Sequence, residues 1–388
     1  MTAAAPSLLH SSLLGFAQII AWGGSFYLTA VLATAVVQDT GWGQPWVYGA
    51  LSLGILTSGL LAPWVGRRIA LHGGRQMLLA SALVLPGGLL LLAAAPNLPW
   101  FVLSWLVIGA GMAAGLYDAL FATLGTLYGQ NARRAITQVT LVSGFCTSLV
   151  WPYIALLVEH LGWRGACVAY SATLLASVLP IYLFTLPRHV PAAVASDSPS
   201  EPPAAIPEGK VFWLLTASFT LAAIIFTSIS VQLISLLQEL GLSLVAALAV
   251  AALIGPSQVA ARVLEVVVGR QAHPIWSTLG SALMVTLGLA LTWFEPLYAA
   301  IGLIVYGTGS GLRSIVRGTL PLALFGSRLY PQVLGLIARP TLLAQAITPL
   351  LGGYLQSHFG ASATFAVLIA LAALNVLLVL WLSAAIAR

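Results

Sequence analysis

Four ionisable residues stand well inside long apolar runs of this 388-residue sequence: Asp118, Arg313, Arg317 and Arg339. A charge at the centre of a bilayer costs about 2.5–3.5 kcal/mol or more unless it is paired or wetted, so each is a candidate for handling charge. Asp118 is a carboxyl able to take up and release a proton. Arg313 and Arg317 are four residues apart and share one face of a helix. Two cations on one face favour an anionic ligand, a carboxylate or an oxyanion. Each residue also has a structural alternative. Asp118 can bond neighbouring Ser, Thr or Tyr groups. Arg317 can snorkel to the membrane surface or meet Glu265, and Arg339, just before Pro340, can snorkel or cap carbonyls.

Two polar stripes accompany these charges. The first apolar run carries Gln18, Trp22, Ser25 and Thr29 at i, i+4, i+7 and i+11, and the seventh carries Ser228, Gln232, Ser235 and Glu239 at the same spacing. Such a stripe serves as a solute or gate surface, or as a seam of helix–helix hydrogen bonds worth about 0.6 kcal/mol each. Tyr27 and Tyr117 are further binding candidates, and Gly23-Gly24 permits a bend in the first run. Nothing groups into a catalytic or metal-binding set. His10, His72, His160, His189, His273 and His358 lie at run ends or in connectors, and Cys146 and Cys167 are isolated in apolar runs. A Gly-x-x-x-x-Gly-Lys-Ser/Thr loop is absent, so ATP is not expected to drive this protein. The expectation is no catalytic residue, no cofactor and no metal.

The elements that position these residues follow from composition. The chain is 60% hydrophobic and 6% charged, against about a quarter charged in soluble domains, which implies a polytopic membrane protein in a lipid bilayer. Its net charge of +6 is spread over short connectors rather than one patch, so nucleic acid is not an expected partner. Twelve runs are long enough to span, near 8–37, 45–66, 76–95, 99–128, 135–158, 164–186, 211–238, 244–268, 274–293, 296–322, 331–356 and 361–386. The first is too long for a cleaved signal peptide and has no basic residues before it, so it reads as a retained helix. Pro152 and Pro349 are expected to bend the fifth and eleventh spans.

With the N-terminus placed in the cytoplasm, Arg67, Arg68, Arg75, Arg133, Arg134, Arg188, Lys210, Arg262, Arg270, Arg328 and Arg388 fall on the inner side. Only Arg164 falls outside, beside the acids Asp39, Glu159, Glu239 and Glu295. That asymmetry predicts two cytoplasmic termini. A Pro/Ser/Ala-rich stretch at 189–210 reads as a linker between a bundle at 1–188 and one at 211–388.

The two halves repeat. Trp64–Gln76 matches Val259–Gln271 without a gap at an offset of 195, placing Arg67 on Arg262 and Arg75 on Arg270. Val36–Gly41 resembles Leu236–Gly241 at 200, Gly115–Leu124 resembles Gly311–Leu320 at 196, Pro152 pairs with Pro349 at 197, and Gly162 with Gly360 at 198. Several matches in one order point to duplication, a known plan of secondary transporters. Gly111-x-x-x-Gly115 and Gly307-x-x-x-Gly311 mark close helix packing at equivalent places.

Twelve spans, a central linker and the basic connector Gly66–Arg75 resemble the major facilitator superfamily (MFS). That connector is often Gly-x-x-x-Asp-Arg-x-Gly-Arg-Arg in the family. Here Ala70 and Leu71 replace the acidic and following basic residues, while the second copy carries Glu265. The resemblance implies an all-α membrane protein of two pseudo-symmetric six-helix bundles, with spans 1, 4, 7 and 10 around a cavity. It would place Asp118 and Arg313 at like depth on opposite halves, and it assigns a conformational latch to Arg67, Arg75, Arg262, Glu265 and Arg270, with Glu265 as its acid. The segment Val142–Pro152 lacks the Gly-Pro-rich antiporter signature. Ala62-Pro-Trp-Val-Gly-Arg and His72-Gly-Gly-Arg look most like the monocarboxylate-transporter branch.

The expectation is a monomeric secondary active transporter in a bacterial-type inner membrane. It would take up a small anionic organic solute with protons as coupling ion, using Asp118, Arg313, Arg317, Gln18, Trp22, Tyr27, Tyr117 and Gln232. Efflux of a toxic compound or metabolite is the alternative. A polytopic membrane enzyme is a minor one, because no acid/base or metal groups converge at an interface.

Overall fold

The computed structural model describes residues 7–187, 209–267, 273–295 and 298–387. These residues are almost entirely helical, as backbone polar groups in hydrocarbon require. In order the helices are α1 (Leu8–Gly23), α2 (Leu28–Thr40), α3 (Gln44–His72), α4 (Arg75–Ala93), α5 (Leu98–Gly115), α6 (Tyr117–Tyr128), α7 (Ala132–Ser143), α8 (Cys146–Thr185), α9 (Lys210–Glu239), α10 (Leu244–Ala251), α11 (Ile254–Val267), α12 (Pro274–Phe294) and α13 (Ala299–Ile386).

Nine helical runs among the described residues are long and apolar enough to cross a membrane. Left-handed glycines divide the longest of them. Gly129 (φ 57°) separates α6 from α7, Gly162 (φ 66°) breaks α8, and Gly326 (φ 68°) and Gly360 (φ 79°) cut α13 into three. A side chain would strain the backbone at these four turns, and glycine does not. The basic connector differs from a loop: α3 stays helical through Arg67 and Arg68 to His72, and only Gly73 and Gly74 turn the chain before α4 starts at Arg75. Arginines tolerate water, so nothing ends the helix at the membrane edge.

The chain forms two compact units. One holds Met1–Ile206 with Leu324–Ala346, the other Pro207–Ala323 with Ile347–Arg388. Leu324–Ala346 belongs by its contacts to the first unit. A Cβ at Gly335 would lie 2.6 Å from the Ala62 carbonyl oxygen, and one at Gly66 would lie 2.5 Å from that of Pro331. Only glycines let that segment approach α3 so closely.

The duplication is visible inside each unit as matching contacts. Ser81 Oγ donates to the Gly111 carbonyl at 2.8 Å, and Ser281 Oγ donates to that of Gly309 at 2.6 Å. Gly88 packs on Ile108 as Gly288 packs on Tyr306, and Gly109 on Gly54 as Gly307 on Ile254. The apolar core of the second unit gathers Leu236, Leu289, Leu303 and Phe365, all fully buried, from α9, α12 and α13.

Candidate functional site

Three spans of the first unit lose their helical bonding around one cluster of side chains. Between α1 and α2, residues 24–27 turn, and the Tyr27 amide reaches back to the Trp22 carbonyl at 3.0 Å. Gly23 lies against Tyr170 and Val150 of α8, too close for a larger residue. Between α5 and α6, Leu116 is extended (ψ −170°). Between α7 and α8, Gly144 and Phe145 make only tighter, three-residue bonds, to Leu141 and Val142 at 3.3 Å each.

Side chains from other helices satisfy these breaks. Gln18 is fully buried, and its Nε2 donates to the Gly115 carbonyl at 2.8 Å and to the Tyr182 hydroxyl at 3.2 Å. The Tyr170 hydroxyl donates to the Ile20 carbonyl at 3.1 Å, and Tyr117 and Ser143 hydroxyls meet at 2.5 Å. Asp118 sits in the first turn of α6, half-buried, where the helix dipole complements a negative charge by about 0.3–1 kcal/mol.

The rings lie beside this region. Trp22 packs on Phe26 (5.5 Å between centroids), Tyr27 (5.9 Å) and Tyr117 (5.1 Å). Tyr27 meets Trp151 at 6.1 Å, and Tyr117 stacks on Phe121 at 5.1 Å. Trp151 also lines a groove of about 540 Å³ between α2 and α8, with Ala30, Val31, Ser148, Pro152 and Ala155. Two polar atoms here are covered and have no partner, Gln18 Oε1 and Trp22 Nε1.

Of the expected site, Gln18, Trp22, Tyr27 and Tyr117 therefore come together in the first unit, with Asp118 next along α6. The second unit holds Arg313, Arg317 and Gln232. Arg313, half-buried, donates to the Ala222 carbonyl of α9 and lies over the Phe226 ring at 4.9 Å. It occupies the repeat position of Tyr117, as Ala222 and Phe226 do those of Trp22 and Phe26 at an offset of 200. Arg317 is half-buried one turn further on. Gln232 is 5% exposed, with both amide atoms unpartnered against Gly352. Below it, Ser235 Oγ donates to Gln356 Oε1 at 3.2 Å, and Gln356 Nε2 to Glu239 at 2.6 Å. Arg339 is exposed, in keeping with snorkelling.

The latch candidates are engaged locally. Arg75 Nε donates to the Leu186 carbonyl at 3.1 Å, joining the start of α4 to the end of α8. Glu265 accepts from Ser277 Oγ at 2.7 Å, Arg262 is 6% exposed, and Arg67 is exposed. Arg270 lies outside the described residues. The residue types alone did not single out Phe26, Phe121, Trp151, Ser143 or Tyr182, nor the bond from Ser218 to Asn375 Oδ1 at 2.6 Å. Asn375 carried a usable signal, a polar amide deep in the last apolar run.

The family model described as Major Facilitator Superfamily matches residues 14–338. No curated protein matches the sequence significantly. Among solved structures, the chain resembles the human organic anion transporter MFSD10 (TETRAN) with TM-score 0.76 at 15% identity, covering 96% of this chain and 98% of that one. It resembles the proton:xylose symporter XylE with TM-score 0.72 at 11% identity over 95% and 94% of the two chains. The E. coli fucose:proton symporter FucP aligns with TM-score 0.73 at 13% identity over 94% and 98%. At such identities the likeness speaks for the fold.

Proposed function

This chain belongs to the major facilitator superfamily, and from that premise we propose that it takes up a small organic anion together with protons by alternating access. It is a multi-pass membrane transporter rather than an enzyme. The observation that carries the reading is the pair of unlike charges held at neighbouring repeat positions. Asp118 stands at the broken fourth span, and Arg313 stands on the tenth at the place Tyr117 holds in the first unit. Asp118 takes the proton. Arg313, with Arg317 one turn away, takes the anion, exchanging part of its carbonyl and ring contacts for a carboxylate. Gln232, buried without partners, offers the solute an amide.

A solved organic anion transporter and two proton symporters share the fold, which makes both halves of the proposal reasonable for this architecture. The distribution of Lys and Arg supports cytoplasmic termini in a bacterial-type inner membrane. The latch role of Arg67, Arg75, Arg262, Glu265 and Arg270 and a monomeric state belong to the same proposal.

The test is uptake of radiolabelled small carboxylates by purified protein in sealed vesicles with an inward proton gradient. Accumulation that an uncoupler abolishes and Arg313→Ala removes supports the proposal. Transport of an anionic solute that survives Arg313→Ala rejects the anion site.

A further inference from the structure

We infer that the Trp64–Arg68 edge of α3 holds the phosphate of an anionic phospholipid; this stands apart from the solute and concerns what surrounds the transporter. α3 has 29 residues, about 43 Å of helix. That length matches the roughly 40–45 Å of a bilayer with both headgroup layers. Its exposed indoles mark the levels. Trp46 is 62% exposed and Trp64 is 49% exposed. At 1.5 Å per residue they stand about 27 Å apart, close to the hydrocarbon thickness, and tryptophans gather at the two interfaces that bound it. The stretch after Trp64 therefore lies in a headgroup layer, and it carries Arg67 and Arg68.

The edge is one face of the helix. Leu60, Trp64, Arg68 and Leu71 follow at i, i+4, i+8 and i+11 and are all exposed, whereas Gly59, Ala62, Gly66 and Ile69 are buried on the other side. Arg68 lies over the Trp64 ring, 5.7 Å from its centroid. Helical side chains lean toward the N-terminus of their helix, so this guanidinium is laid back along the hydrocarbon edge rather than out into water. Among the described residues no carboxylate or carbonyl takes its N–H groups. The ring covers one face of the guanidinium, and the donors in its plane remain for a phosphate, which accepts such a fork in pairs.

The chain carries its own control. In the second copy of the connector, at an offset of 195, Arg67 recurs as Arg262, but Val259 and Val263 stand where Trp64 and Arg68 do. That copy is helical through Val267 all the same, and its Val263 is 47% exposed. The indole and guanidinium are thus an addition to the first half that the helix does not require. A cation beside an interfacial ring, on a stripe whose next residue outward is the exposed Leu60, fits a charged headgroup with its acyl chain along the helix.

The test is native mass spectrometry of the full chain released from nanodiscs of phosphatidylglycerol and phosphatidylcholine in equal parts. One phosphatidylglycerol retained in preference to phosphatidylcholine is expected. Arg68→Gln should lower that retention about fivefold, the share one arginine supplies at an anionic surface. Trp64→Leu should act in the same direction, so the outcome does not hang on one variant folding. Arg134→Gln, which removes another exposed arginine, should leave retention within about twofold of the parent. Equal retention of the two lipids, or undiminished retention by Arg68→Gln, overturns the inference. An equal fall in Arg134→Gln shows general attraction to surface charge and overturns it as well. Loss of the lipid on adding inorganic phosphate gives the site to a free anion, and a dimer that Arg68→Gln breaks up gives the face to a second copy; either result overturns the lipid. Carboxylate uptake in vesicles judges the solute reading separately from all of these.

Discussion

At the scale of single residues, the two most informative side chains are Asp118 and Gln18, and they act differently. Asp118 is half-buried at the start of α6, where a carboxylate suits the helix end. If it is the proton carrier, Asp118→Asn should abolish accumulation driven by a proton gradient and leave exchange of internal for external solute intact. Flux measured in both modes on the same vesicles checks this, and accumulation by the variant would remove Asp118 from the coupling step. Gln18 has one amide atom committed to structure and one left open. Its Nε2 holds the Gly115 carbonyl that the break at Leu116 leaves without a helical donor. Gln18→Leu loses two bonds of about 0.6 kcal/mol each. A lower Tm in detergent, by the equivalent of about 1 kcal/mol, should report that loss, and an unchanged Tm would show the amide to be dispensable.

At the scale of elements, the small-residue seams are where the two halves agree best. Gly109 packs on Gly54, and Gly307 on Ile254, through backbone atoms that cannot step aside. Gly109→Ala and Gly307→Ala should each cost about 1–3 kcal/mol by overpacking, read as similar falls in Tm. A loss at only one position would break the equivalence of the seams. Small residues in both runs announced close packing, but the matching Gly-x-x-x-Gly motifs do not: Gly111 and Gly115 lie against Leu85 and Ser81 of α4, while Gly307 and Gly311 lie against Ile254 and Gln258 of α11. The spans were legible too, from apolar length and the glycines between them. The break in the fourth span was not. Ala-Gly-Leu-Tyr reads as helix by local preference, and the turn at Leu116 is held by a donor from another span. The aromatic neighbours Phe26, Phe121 and Trp151 escaped for a related reason: single rings in apolar runs carry no periodic signal until the fold gathers them. The stretch Arg67–His72 was expected as a connector because it is charged, and charge alone does not end a helix.

At the scale of the whole molecule, the second half of the chain supplies a segment to the first unit. Leu324–Ala346 packs with Met1–Ile206, its Gly335 against α3 and its Tyr330 ring against Gly125. A chain cut between residues 200 and 201 should therefore give two fragments that copurify when made together. The first fragment made alone should be markedly less stable, as size-exclusion profiles and Tm would record. Copurification failing while each fragment stays folded would show that the segment's packing is incidental. The amide of Gln18 also has a history during synthesis. One of its acceptors lies 97 residues downstream and the other 164. While the ribosome is still working through the first half, the earliest helix enters the membrane with a polar group that nothing yet made can quiet. Its final seat waits on the last helix of that half, so the order of insertion and the order of folding part company at the first transmembrane segment.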